Sequence, residues 1–194
     1  MHRLSVIFAA PLLIAAVGYS QTAGSPLGVA RKFQYHWRQL ANPGFVAETA
    51  AYAGVVHWMD TPEEWGQGAA AYGKRLASAA GASAIRGVFA FTLDSALRED
   101  PRYRRSGCGG FFSRLGHAAR ETFLTHTDSG GSRIATWRIG SAFGASYLSN
   151  VWYPYRLNTF ASGLEQGAIT LSGDLLTNLA SEYWPGFKHK LLHR

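Results

Sequence analysis

The sequence predicts an all-α fold, a compact bundle of about five helices joined by short turns and held by close-packing seams of glycine, alanine and serine. Two observations carry that prediction. Apolar and small residues recur at steps of three and four, the spacing of one helix face, and no stretch alternates with period two long enough for a strand. Asn42-Pro43-Gly44 and Trp184-Pro185-Gly186 punctuate the periodic segments as helix-stop chemistry requires.

Thr61 to Leu97 reads as one long helix on which the rest packs. Thr61 and Glu64 stand at capping-box spacing and Pro62 falls at the first helical position. Gly66, Ala70, Gly73, Ala77, Gly81, Ala84 and Gly87 form one stripe along it. Each glycine costs roughly 1 kcal/mol of helix stability relative to alanine, so close packing against Gly73 and Gly81 is expected to compensate. The alternative is a break near Gly81 or Gly87; the first proline after Pro62 is Pro101, which favours one helix.

Before it, Ser25-Pro26 opens a short helix over Leu27 to Leu40, with Phe33, Trp37 and Leu40 on one side and Arg31, Lys32 and Arg38 largely elsewhere. Such a helix packs its stripe on a core or lies on a membrane surface. Phe45 to Met59 is apolar apart from Glu48 and His57 and pairs antiparallel with the long helix. After Leu97, Arg98, Arg102, Arg104 and Arg105 crowd an Asp100-Pro101 turn, and Phe111 to His126 follows as an amphipathic helix with Phe112, Leu115, Ala119 and Phe123 on its apolar face and Arg114, His117, Arg120 and Glu121 on the other. Thr127 to Gly131 is a loop. Ser132 to Trp152 and Asn158 to Tyr183 complete the bundle, each with a GxxxG pair for helix packing, Gly140 with Gly144 and Gly163 with Gly167.

The chain's 194 residues fit one domain, and 47% hydrophobic against 16% charged content excludes disorder. Met1 to Ser20, two basic residues followed by an apolar run and small residues, reads as a signal peptide, with an uncleaved anchor as the alternative. The chain then divides into a signal at 1–20, a helical domain at 21–187 and a mobile basic tail at 188–194. Export places it in the periplasm or an envelope membrane. A formal charge of +7 favours an anionic membrane surface as partner, with self-association through the seams; no nucleic acid is expected, since the basic residues form no stripe with stacking aromatics. Cys108 is the only cysteine, so no intramolecular disulfide forms.

Seams of small residues, and Trp58, Trp65, Trp137, Trp152 and Trp184 near helix ends, favour lipid contact. Arg86, Asp94, Glu48, Glu165 and Asp174 oppose it, because each interrupts an apolar helix. Embedded, peripheral and soluble bundles all stay open. Within the bundle, Asp94 or Asp174 is expected to pair with Arg86 or Arg138, fixing helix register. His57, His117 and His126 lack metal-site spacing, so neither a metal nor a cofactor is expected. If there is a catalytic site, Glu64, Asp100, Tyr103 and His117 are its candidates, as acidic, phenolic and imidazole groups near helix ends and loops. Arg98, Arg102, Arg104, Arg105 and Arg114 are the candidates for anionic head groups.

The stretches EWGQGAAAYGKR (Glu64 to Arg75), EDPRYRRSG (Glu99 to Gly107), THTDSG (Thr125 to Gly130) and NVWYPYRLNT (Asn150 to Thr159) together resemble an uncharacterised family of exported bacterial helical proteins. The resemblance implies export and a shared helical pattern and supplies no catalytic residue. The expected function is that of an exported, membrane-associated helical envelope protein with a non-enzymatic role. The alternative is a hydrolase or transferase acting on an envelope lipid or glycan.

Overall fold

The computed structural model describes residues 25–106 and 109–192, with no account of side chains beyond 184; the signal segment Met1 to Ser20 and Cys108 lie outside the described residues. Among the described residues, six helices carry the fold: α1 (Val29–Leu40), α2 (Pro43–Trp58), α3 (Ala69–Ala96), α4 (Phe111–Phe123), α5 (Thr136–Ser149) and α6 (Phe160–Leu192). The all-α reading holds with one addition. Three short strands, β1 (Glu99–Asp100), β2 (Leu124–Thr127) and β3 (Ser132–Ile134), form an antiparallel sheet in the order β1-β2-β3 at one end of the bundle. Strands this short show no legible alternation, and the loop after Thr127 proves to be the β2–β3 hairpin turn.

Several boundaries differ from expectation for local reasons. The capping box at Thr61 and Glu64 does not form: Glu63–Trp65 makes one 3₁₀ turn, and Gly66 and Gly68 take φ of 70° and 92°, delaying α3 to Ala69. From there α3 runs unbroken through Gly81 and Gly87, about 42 Å at 1.5 Å per residue. Asn42-Pro43-Gly44 opens α2 as well as closing α1, since Asn42 Oδ1 accepts from Gly44 N at 2.8 Å and Pro43 takes the first helical position. Gly28, after Ser25-Pro26, is the N-cap of α1. Helix α6 continues through Trp184-Pro185-Gly186 to Leu192, so most of the basic tail is helical backbone.

The seams work in two places and fail in a third. Leu93 of α3 sits over Gly140 of α5, where an added Cβ would come 2.7 Å from Leu93 Cδ1, and Phe89 covers Gly144 at 3.3 Å. Helix α5 in turn sets Tyr147 on Gly163 and Phe143 on Gly167 of α6, where a Cβ would overlap each ring. By contrast, a Cβ on Gly73 or Gly81 would meet nothing within 4 Å. That corrects the expected packing role of these two glycines within the chain. Helix α3 buries Ala71, Arg75, Ser78, Ala90 and Asp94 against its neighbours α1, α2 and α5, and of its glycine stripe Gly87 alone meets a neighbour among the described residues, Leu40 of α1, at 3.2 Å from an added Cβ.

Many charged groups are buried, and several large apolar side chains share the exterior with charged ones such as Arg31, Arg38, Lys74 and Glu165. Among the described residues, alanines make up most of the buried hydrophobic side chains, whereas Lys32, Arg75, Asp94, Glu99, Asp100, Arg102, Glu121, Arg138 and Glu182 are all buried. Phe33 and Trp37 of α1 are 56% and 60% exposed, while Lys32 and His36 point inward. Helix α4 likewise exposes Phe112 and Phe123 and buries Ala118, Glu121 and Thr122. Both amphipathic helices therefore face the opposite way from a soluble bundle.

These contacts predict a split among glycine variants in thermal unfolding. Gly167→Ala and Gly163→Ala are expected to lose about 1–3 kcal/mol by overpacking, whereas Gly73→Ala and Gly81→Ala gain up to about 1 kcal/mol from helix propensity.

Candidate functional site

Four of the quoted motifs meet in pairs at opposite ends of the bundle. At one end, the Glu64 to Arg75 stretch meets Asn150 to Thr159: Trp65 lies 5.3 Å from Tyr153 between ring centroids, and Arg156 Nε donates to Glu64 Oε1 at 3.0 Å. Buried Arg75 organises the corner before α3. Its five N–H groups reach Thr61 O, Gly66 O, His57 Nδ1, Pro62 O and Asp60 Oδ1 at 2.7–3.3 Å, which uses the whole guanidinium fork. Tyr52, Val56, Trp65, Tyr153 and Glu165 line a shallow cleft beside it.

At the other end, Glu99 to Gly107 meets Thr125 to Gly130 through the β1–β2 pairing. Asp100 holds Arg102 as a chelated pair: Oδ1 accepts Arg102 N and Nε at 3.0 and 2.9 Å, and Oδ2 accepts Arg102 Nη2 at 2.7 Å. Burial pushes the Asp100 carboxyl up, but the Arg102 hydrogen bonds and charge outweigh it and hold the group below its ordinary range. Glu99 accepts from Trp137 N at 2.9 Å and so caps α5 from a distant strand. Lys32 Nζ donates to Asp94 O and Asp128 Oδ2, each at 3.0 Å, and His36 Nε2 meets Asp94 Oδ2 at 2.7 Å. Between the ends, Arg86 pairs with Asp174 at 2.5 Å and Arg138 approaches the same carboxylate at 3.9 Å. The expected Asp174 pairing thus forms, while Asp94 is taken by α1.

A third cluster gathers on Glu182, in the C-terminal half of α6. Its carboxylate accepts Tyr103 Oη at 2.6 Å, Ser106 N and Oγ at 2.9 Å each, and His117 Nδ1 at 3.2 Å. The extended segment after β1 delivers Tyr103 and Ser106, and α4 delivers His117. Burial raises the Glu182 carboxyl, yet the donated hydrogen bonds from Tyr103 and Ser106 bring it below its ordinary range. Tyr103 moves far up, first through burial and then through its bond to Glu182, so it remains a proton donor. Arg114 closes the cluster, donating Nη1–H to Glu182 O at 3.2 Å with its guanidinium 5.2 Å over the Tyr183 ring.

Of the four candidate catalytic residues, the fold brings Tyr103 and His117 together. Asp100 is saturated by Arg102, and Glu64 lies at the far end in an exposed pair with Arg156. Of the five candidate head-group arginines, Arg98 is exposed, Arg104 is about one-third exposed beside Asp100, Arg105 is half-buried, Arg114 is engaged by Glu182 and Arg102 is buried. The sequence reading missed Glu182. A lone carboxylate in the apolar run before Trp184 was the available signal.

Searches against protein-family models, curated proteins and solved structures find no match.

Asp100 and Glu182 both titrate below their unfolded values of about 3.9 and 4.3, so their stabilisation is complete at neutral pH and disappears as pH falls below about 4. Thermal unfolding is expected to show a steep acid limb. Asp100→Asn should cost about 3–5 kcal/mol at pH 7 by removing the buried carboxylate charge that faces Arg102, and its deficit from wild type should shrink towards pH 3. A deficit independent of pH would count against the pair.

Proposed function

We propose that this chain is an exported helical envelope protein that associates with a membrane through its apolar exterior. One observation carries the reading: the distribution of polarity is inverted. Large apolar side chains lie outside, among them Trp58 at 85%, Phe112 at 82%, Phe160 at 75% and Val88 at 65% exposed, while charged groups fill the interior. In water that arrangement leaves apolar surface wet and requires desolvating ions. In lipid it is the ordinary one, because polar groups turn to the bundle interior and small residues let helices approach. Helix α3 is long and apolar enough to cross a membrane, and only 11% of its most apolar 18 residues are buried within the fold. The Asp100, Tyr103 and Glu182 clusters lie beyond that apolar stretch, at the level of the loops. There, exposed Arg98 and Arg120 suit anionic head groups. The family resemblance supports export.

A second reading, a hydrolase or transferase acting on an envelope lipid or glycan, is favoured by the convergence of Tyr103, Ser106 and His117 on the buried Glu182 carboxylate.

Membrane fractions from cells expressing the full chain test the first reading. Washing with high salt and then alkaline carbonate is expected to leave the protein in the pellet, and detergent to release it. Quantitative release by salt would rule out lipid contact by the α3 face.

A further inference from the structure

Three histidines among the described residues contact acids: His36 meets Asp94, His126 meets Glu121 at 3.5 Å, and His117 meets Glu182. They differ in what the second ring nitrogen is left to do. His36 lies in the core with a side chain only 10% exposed, and His126 makes a long contact through Nε2 itself. His117 is a quarter exposed, its acid is 1% exposed, and its Nε2 has no hydrogen-bond partner and is not among the buried unsatisfied atoms.

Its tautomer follows from Glu182. An ionised carboxylate only accepts hydrogen bonds, so the proton in the 3.2 Å contact belongs to His117 Nδ1. The neutral ring then carries its lone pair on Nε2, on the side away from the carboxylate. A buried acid holding one imidazole nitrogen and leaving the other as an accessible base is the arrangement general-base catalysis uses. Neither nearby hydroxyl is hydrogen-bonded to Nε2, since Tyr103 and Ser106 both direct their protons to Glu182, so His117 Nε2 does not activate them. Water is left as the nucleophile.

Two neighbours supply the rest. Arg105 lies between Tyr103 and Ser106, both fixed to Glu182, and its Nε is buried without a hydrogen-bond partner. An unmet charged donor at that position suits an anionic oxygen. Phe111 and Phe112, at the start of the helix carrying His117, are 56% and 82% exposed, and Phe111 packs against Tyr183, next to Glu182.

We infer that His117, oriented by Glu182, is the general base of a site that hydrolyses a carboxylic ester of an anionic lipid, with Arg105 facing the developing oxyanion and Phe111–Phe112 holding the acyl chain. This inference rests on the second reading above. In the step, His117 Nε2 takes a proton from water as the water oxygen bonds to the ester carbonyl carbon, and the π pair moves onto the carbonyl oxygen. Collapse of the adduct breaks the carbon–alkoxy bond, and the leaving oxygen recovers the proton from His117. A fatty acid and an alcohol result.

The test uses the purified full chain in mixed detergent micelles with phosphatidylglycerol or phosphatidylcholine, following fatty-acid release by mass spectrometry. Release from phosphatidylglycerol is expected to exceed that from phosphatidylcholine by about ten-fold or more, and His117→Gln to reduce it by about a hundred-fold or more with an unchanged melting temperature. Arg105→Gln should lower kcat more than it raises KM. Because Glu182→Gln is at risk of misfolding, the orienting role is read on the wild type by nitrogen NMR of His117, where the Nδ1–H tautomer is expected. Full activity in His117→Gln, or an Nε2–H tautomer, overturns the site while leaving a lipid hydrolase standing. Equal release from both lipids overturns the anionic substrate class. Release from neither lipid overturns the inference and the second reading together.

Discussion

Removing a charge from water costs several kcal/mol unless the fold returns a partner, and this bundle imposes that condition on nine buried charged side chains among the described residues. Its helices are placed where the condition is met. Helix α1 is drawn onto α3 because Lys32 and His36 must reach Asp94 and Asp128. The short sheet exists where Glu99 caps α5 and Asp100 grips Arg102. Helix α6 is tied at mid-length by Arg86 and Asp174 and about two turns further on by Glu182. Dispersion contacts between large apolar groups, which ordinarily fill a core, are here pushed to the outside.

The same condition explains what the sequence did and did not disclose. Periodicity marks helices whatever solvent surrounds them, so the segments around Phe45 to Met59, Phe111 to His126 and Asn158 to Tyr183 were legible. The facing of α1 and α4 was not. Reading Phe33 and Trp37, or Phe112 and Phe123, as a core stripe assumes that water lies outside, and the structure buries Lys32, His36 and Glu121 instead. Propensity signals also lost to tertiary demands. Thr61, Pro62 and Glu64 spell a helix start, yet Arg75 needs the carbonyls of Thr61, Pro62 and Gly66, and a helical turn there would have committed or redirected them.

The candidate site was half visible. Tyr103 and His117 stood out as groups near loops, but nothing local says that they share a partner 65 or more residues further along the chain. Glu64 and Asp100 stood out for the same reason and proved to be in ion pairs with Arg156 and Arg102. Sequence inspection finds reactive residue types; which of them have spare hydrogen-bonding capacity is decided by long-range contacts. His117 spends Nδ1 on Glu182 and, among the described residues, leaves Nε2 without a partner.

The paired glycines of α5 and α6 carry a consequence for alignment. Each pair receives two bulky groups four residues apart, Leu93 and Phe89 on Gly140 and Gly144, then Tyr147 and Phe143 on Gly163 and Gly167. A slip of one helical turn, about 5.4 Å, would seat one tooth of such a key and drive the other against a side chain, Leu148 in the first case or Leu171 in the second. A single glycine would tolerate sliding, whereas two at this pitch act as a vernier with one matching position. Helix α5 is engaged by such a key on both sides, so the relative heights of α3, α5 and α6 are set together.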